Sequence, residues 1–150
     1  MKDTELRKGN YVGFGVLHTG LGQEKDFAHY TVDQLREASV FFVESNVGEY
    51  YKDVQPLPLT EEWLLKFGFN THAGTNGTYY SKHWGKNGLE IITKDYHYKG
   101  FEMELGKARF KSVESVHQLQ NIFYVLTGEE LKLKQQLIKK ISKKLNNGKI

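Results

Sequence analysis

Between Tyr79 and Lys99 the chain concentrates side chains that could do chemistry. Tyr79, Tyr80, Trp84, Tyr96 and Tyr98 supply rings, Lys82, Lys86, Lys94 and Lys99 supply cations, and His83 and His97 supply titratable groups. Aromatic faces stack on bases and lysines neutralise phosphates, so this mixture suits a nucleotide or a single strand. Asn87-Gly88 lies between two β-prone runs, Thr78 to Trp84 and Leu89 to Tyr96. Both residues tolerate positive φ, which predicts a hairpin with a two-residue turn. That turn pairs Lys86 with Leu89, Trp84 with Ile91 and Tyr79 with Tyr96. Tyr79, Ser81, His83, Ile92, Lys94 and Tyr96 then share one face, while Tyr80, Lys82, Trp84, Ile91 and Thr93 share the other. Trp84 with Ile91 makes the better core. The candidate ligand-binding set is therefore Tyr79, His83, Lys94 and Tyr96, continued by His97, Tyr98 and Lys99. The plainer alternative is a set of ordinary cross-strand ring pairs whose lysines guard a sheet edge.

Other chemistries have less behind them. His83 or His97, oriented by Asp95 or Glu90, could serve as an acid–base or phosphodiester-cleaving group, but the register does not force the two imidazoles to converge. Six scattered histidines without a close ligand pair argue against a metal site. Gly13, Gly15, Gly20 and Gly22 miss the dinucleotide fingerprint, because no glycine stands three residues after Gly15. No P-loop is present and no cofactor is expected. His117, Gln118, Gln120 and Asn121 read as the polar face of a helix, with contact to a partner as the alternative.

Composition narrows the class. One domain's worth of chain, 150 residues, carries nine Phe, nine Tyr and two Trp, with fifteen Gly against two Pro. Cysteine is absent, so disulfides, thiolate metal sites and cysteine nucleophiles are excluded. No apolar run approaches membrane-spanning length and the N-terminus lacks a charged-then-apolar leader, which reads as a soluble intracellular protein. The net charge of +3 is uneven: residues 129–150 carry +5 and residues 1–128 carry −2. Only the tail is basic.

The elements that must position the candidate site follow from periodicity. Asn10 to Leu17 reads as a strand, as do Phe27 to Val32, Ser39 to Glu44 and Tyr50 to Val54, with one helical turn over Asp33 to Ala38. His18 to Asp26 reads as a polar loop. Pro56 to Phe69 reads as a short helix with both ends encoded: Thr60 as N-cap, Glu61 and Glu62 in the first turn, and Leu59 and Leu64 as a hydrophobic staple. Gly68 is its left-handed stop, and Phe69 folds back on Leu64 in a Schellman closure. Phe101, Met103 and Leu105 alternate with Glu102 and Glu104 in a half-buried strand, and Lys107 to Val113 forms another. Ser115 and Gln118 have capping-box spacing, Gly128 marks a helix end, and Val116, Leu119, Ile122, Phe123 and Leu126 repeat at helical spacing. Leu137, Ile138, Ile141 and Leu145 form an apolar stripe backed by Lys139, Lys140, Lys143 and Lys144.

Three blocks resemble a family of small uncharacterised proteins of bacteriophages and mobile elements. They are Leu6-Arg7-Lys8-Gly9-Asn10-Tyr11-Val12, Pro58 through Phe69, and Val116-His117-Gln118-Leu119-Gln120-Asn121 through Leu126-Thr127-Gly128-Glu129-Glu130-Leu131. The resemblance spans residues 6–131 and implies an accessory gene product acting in a bacterial cytoplasm. It carries over no catalytic residue. Small proteins of this kind often counter host defence, some by sequestering nucleotide signals.

Together these readings predict an α+β protein. Residues 1–58 form a small curved antiparallel sheet of SH3-like type. Residues 59–128 hold a bridging helix, then a second antiparallel sheet covered by the Ser115–Leu126 helix. Residues 129–150 form a basic amphipathic helical tail. The leading function is a non-enzymatic sponge for a phosphate-bearing ligand such as a cyclic nucleotide. The alternatives are an interaction module that inhibits a host factor and a small His-dependent phosphodiesterase or nuclease. For the tail, self-association or packing on the body is expected first, nucleic acid second and membrane last, with a solvated, partly frayed helix as the plainer alternative.

Overall fold

Alternating apolar residues commit several stretches of this chain to strands, and the strands gather into two five-stranded antiparallel sheets. The computed structural model describes residues 5–14, 29–75, 77–84, 89–95, 101–105 and 108–134. The class is α+β, as predicted. The chain divides into two compact units, Met1–Pro58 with Ser115–Glu130, and Leu59–Glu114 with Leu131–Ile150. There are two α-helices among the described residues, α1 (Glu61–Lys66) and α2 (Val116–Thr127).

In the first unit, β1 (Tyr11–Phe14), β2 (His29–Leu35), β3 (Ser39–Phe42) and β4 (Ser45–Tyr50) run as a meander. A 3-10 turn over Tyr51–Asp53 then delivers β5 (Val54–Gln55) to the far side of β1, so the order is β4-β3-β2-β1-β5. This is the curled antiparallel sheet expected from the short strands. Its core is Leu6, Val12, Val32, Val40, Phe42 and Val54, with Tyr30 and Tyr51 packed against it.

Two local readings are corrected. Asp33 to Leu35 are not a helical turn but the end of β2, because Gln34 and Leu35 find partners in Phe41 and Val40 of β3. Tyr51 to Asp53 are not strand: Tyr51 leaves the ladder and its hydroxyl donates to the Arg36 carbonyl at 2.8 Å. Tertiary partners override local propensity in both cases.

Helix α2 begins at the predicted capping box, in which Gln118 Oε1 accepts from the Ser115 N–H at 3.2 Å. It ends on Gly128 at φ 71, the left-handed stop that glycine adopts without a Cβ clash. The helix belongs with the first sheet, which corrects the expectation that it covers the second. Its buried Gln120 explains the choice. Gln120 Oε1 accepts from the Tyr11 N–H at 2.8 Å, and its Nε2 donates to the Gly9 carbonyl at 3.0 Å. A side-chain amide thus satisfies two backbone groups around the start of β1. The segment before α1 closes the same unit, since the Val116 N–H donates to the Leu57 carbonyl at 2.9 Å.

In the second unit, β6 (Asn70–Gly74), β7 (Gly77–Trp84), β8 (Leu89–Asp95), β9 (Phe101–Leu105) and β10 (Ala108–Val113) form a plain meander in the order β10-β9-β8-β7-β6. Helix α1 belongs to this unit. Its Schellman closure is present: the Phe69 N–H donates to the Leu64 carbonyl at 3.0 Å and the Gly68 N–H to the Leu65 carbonyl at 2.9 Å. Gly68 takes φ 83, as such a closure requires. Leu64 and Phe67 are fully buried, each burial stabilising by about 2 kcal/mol, which outweighs the weak propensity of a six-residue helix. Thr60 stands at the N-cap in extended conformation, but its side chain makes no capping bond, contrary to the sequence reading.

Of the predicted basic tail, Leu131 is buried and Lys132 and Lys134 are exposed. The apolar stripe from Leu137 to Leu145 lies outside the described residues, as does the loop from His18 to Asp26.

Candidate functional site

The hairpin carrying the candidate residues is paired two residues away from the predicted register. Trp84 faces Leu89, His83 faces Glu90 and Tyr79 faces Lys94 rather than Tyr96. A shift of two leaves every side chain on its original face, because strands alternate with period two. The division into two faces therefore survives the correction. The Asn87-Gly88 turn itself lies outside the described residues.

Burial identifies the core face. Tyr80, opposite Thr93, is buried, and so are Phe101 and Met103, which lie on the same side in β9. The Tyr80 and Phe101 rings meet edge-on with centroids 6.1 Å apart. Lys82 also lies on this side, and its role is structural. Its ammonium donates to the Phe67 carbonyl at 2.8 Å, the C-terminal end of α1, and lies 5.9 Å from the centroid of the Phe69 ring. A cation there meets both an orphan carbonyl and the negative end of the helix dipole. Burial, and secondarily the charge of Lys134, hold the Lys82 pKa below its ordinary value.

The opposite face holds the candidate site. Three residues meet in it from β6 and β7. The His72 and Tyr79 rings stack with centroids 4.8 Å apart and planes 14° from parallel. His72 Nε2 lies 2.8 Å from Ser81 Oγ. A Ser–His contact is the beginning of a nucleophile–base pair. Ser81, however, is only 1% exposed, so its hydroxyl cannot reach a substrate and the bond serves to fix the imidazole. Registers across the sheet continue the row: His72, Tyr79, Lys94 and Glu102 stand side by side on four strands. The next row reads Asn70, Ser81, Ile92, Glu104 and Arg109.

Charge on this face is mixed. Arg109 Nε lies 3.4 Å from Glu104 Oε1, and its Nη1 lies 4.0 Å from Glu102 Oε1. Both carboxylates are mostly buried side chains, whereas Arg109 is largely exposed. Lys94 has Glu102 as its cross-strand neighbour and His83 has Glu90. A phosphate placed here would meet two cation positions, Lys94 and Arg109, against three carboxylate positions, so long-range attraction adds little and ring stacking must provide most of the affinity.

Among the seven predicted site residues, the sheet brings Tyr79, His83 and Lys94 onto one face, with Tyr79 half-buried and His83 exposed. Tyr96, His97, Tyr98 and Lys99 lie outside the described residues. His72 is the member that sequence reasoning missed, because β6 was not recognised as a strand. Its signal was the turn-prone stretch Gly74-Thr75-Asn76-Gly77, where β6 ends and β7 begins.

The polar set on α2 is structural. His117 is buried, its Nδ1 lies 3.1 Å from Ser115 Oγ, and its pKa is lowered chiefly by burial, with the Glu5 charge opposing. Asn121 Oδ1 accepts from Asn10 Nδ2 at 2.9 Å and Asn121 Nδ2 donates to the Glu5 carbonyl at 3.0 Å. Gln118 is exposed and its side chain closes the capping box.

Among the described residues no group of three or more His, Asp or Glu is placed to hold a metal ion, and no helix is long and apolar enough to cross a membrane. Comparison with protein-family models, with curated proteins and with solved structures finds no match to this chain.

Proposed function

We propose that this chain is a phage-type accessory protein that works by binding rather than catalysis, and that the His72–Tyr79 face of its second sheet receives a planar, phosphate-bearing ligand. The observation that carries the reading is the stacked His72–Tyr79 pair with Lys94 next in the same row. Rings suit a base, and a lysine position in the same row suits its phosphate. A nucleotide signal of bacterial defence is the ligand class this chemistry fits, and a sponge for it needs no catalytic group.

A second reading is favoured by the carboxylates at Glu90, Glu102 and Glu104. A mixed-charge sheet face suits a protein surface better than a free anion, so the rival is an interaction module that blocks a host factor. Thermal unfolding against a panel of cyclic and linear nucleotides separates the two. A ligand present at 100 times its dissociation constant stabilises by about 2.7 kcal/mol. Chromatography of the same mixtures should return intact ligand, whereas cleavage products would mean a phosphodiesterase using His83 or His97. Tyr79→Ala should remove the shift while the fold persists. No shift with any nucleotide, together with capture of a host protein that Tyr79→Ala abolishes, would replace the sponge by the interaction module.

A further inference from the structure

The two edges of the second sheet are built differently. β10 carries Arg109 and Lys111, and its pairing with β9 slips between Phe110 and Val113, where Ser112 takes φ 59. Charge and an irregular register are the devices by which proteins keep a free edge from pairing with another chain. β6 has neither. Asn70-Thr71-His72-Ala73-Gly74 contains no charged residue and no proline, and pairs with β7 through five successive positions without a slip. Asn70, Thr71, Ala73 and Gly74 are all exposed. Among the described residues, no backbone hydrogen bond reaches β6 from the side away from β7. Every second residue of an edge strand points its N–H and C=O outward, so among the described residues β6 presents a regular, unguarded ladder.

From this contrast we propose that β6 is a self-association edge, which pairs antiparallel with β6 of a second copy about a two-fold axis at His72. The strand itself selects this occupant. Its small, uncharged side chains offer little with which to recognise a foreign sequence. A second copy brings a strand of equal length with no like charge to set opposite. Symmetry then places Thr71 beside Ala73 of the other copy and Asn70 beside Gly74, small against small, with each contact made twice. Five residues a side bury far less than the area of a standard stable interface, so the dimer is weak, with a dissociation constant on the order of 100 µM. The ring row of the proposed ligand face would run on from Tyr79 and His72 into His72 and Tyr79 of the second copy.

Sedimentation velocity of the full chain from about 10 µM to about 1 mM tests this. The wild type should pass from monomer to dimer across that range, and the β6 amides should gain hydrogen-exchange protection as it does. Thr71→Lys and Ala73→Lys, each placing a charge on the edge, should raise the dissociation constant at least tenfold with circular dichroism unchanged. If one fails to fold, the other decides. Ser112→Lys on β10 should leave the association as it is. A monomer at every concentration, association unchanged in both β6 variants, or association lost in Ser112→Lys would each overturn the proposal. Because the readout involves no ligand, its failure leaves the proposed binding face standing.

Discussion

Arg7 and Glu130 lie 123 positions apart in the chain and form a two-pronged ion pair. Arg7 Nη2 donates to Glu130 Oε2 at 2.9 Å while Nη1 meets Oε1, and the guanidinium lies 4.2 Å over the Tyr124 ring. The same Nη2 reaches the Gln120 carbonyl at 3.2 Å. One side chain from the lead-in to β1 thus ties α2, at Gln120 and Tyr124, to Glu130 three residues past the helix end.

Breaking the clasp should cost stability. Arg7→Ala strands a carboxylate that is only 33% exposed and removes the stack on Tyr124, with an expected loss of about 2 kcal/mol in urea unfolding. Arg7→Lys should recover little of it, because an ammonium can neither fork onto both oxygens nor lie flat on a ring. A loss below about 0.5 kcal/mol, typical of exposed ion pairs, would reduce the clasp to a surface contact.

Gln120→Leu should be the costlier change in that region. It keeps volume but orphans the Tyr11 N–H and the Gly9 carbonyl, for a loss of about 3 kcal/mol. Hydrogen exchange at Tyr11 should accelerate at the same time. Retained protection of that amide would show that it has another partner.

Acid should destabilise the first unit through His117. Its folded pKa lies below the ordinary 6.5, so the unfolded chain binds the proton more readily. The stability contributed by the neutral imidazole is therefore complete above pH 6.5 and is lost as pH falls toward the folded value. Denaturant midpoints from pH 8 to 5 should fall, and His117→Asn should flatten the part of that slope due to this residue. An identical slope in the variant would place the acid sensitivity elsewhere.

The two faces of the second sheet should respond oppositely to truncation. Met103 is fully buried, and Met103→Ala should cost about 3 kcal/mol. His83 is exposed on the candidate face, and His83→Ala should change stability by less than about 0.5 kcal/mol. Comparable losses from the two would mean that the candidate face is covered after all.

Period and punctuation were legible in the sequence because they are local. Phe101 and Met103 against Glu102 and Glu104 dictated a half-buried strand whatever lay beside it. Gly68 and Gly128 dictated helix ends because a left-handed residue there needs no partner to be favourable. The candidate face was equally legible, since alternation survives a register error of two. Partnership was not legible. Nothing in Val116 to Thr127 says which sheet the helix joins; the answer lies in Gln120 reaching Gly9 and Tyr11, more than a hundred residues away. His72 joined Tyr79 only when β6 found β7, and Lys82 left the pool of ligand-binding cations only when it met the Phe67 carbonyl. Local sequence sets which face of an element is apolar, because that depends on spacing alone. Tertiary structure decides which polar groups satisfy one another, because a buried donor can be paired with any acceptor the fold brings within about 3 Å.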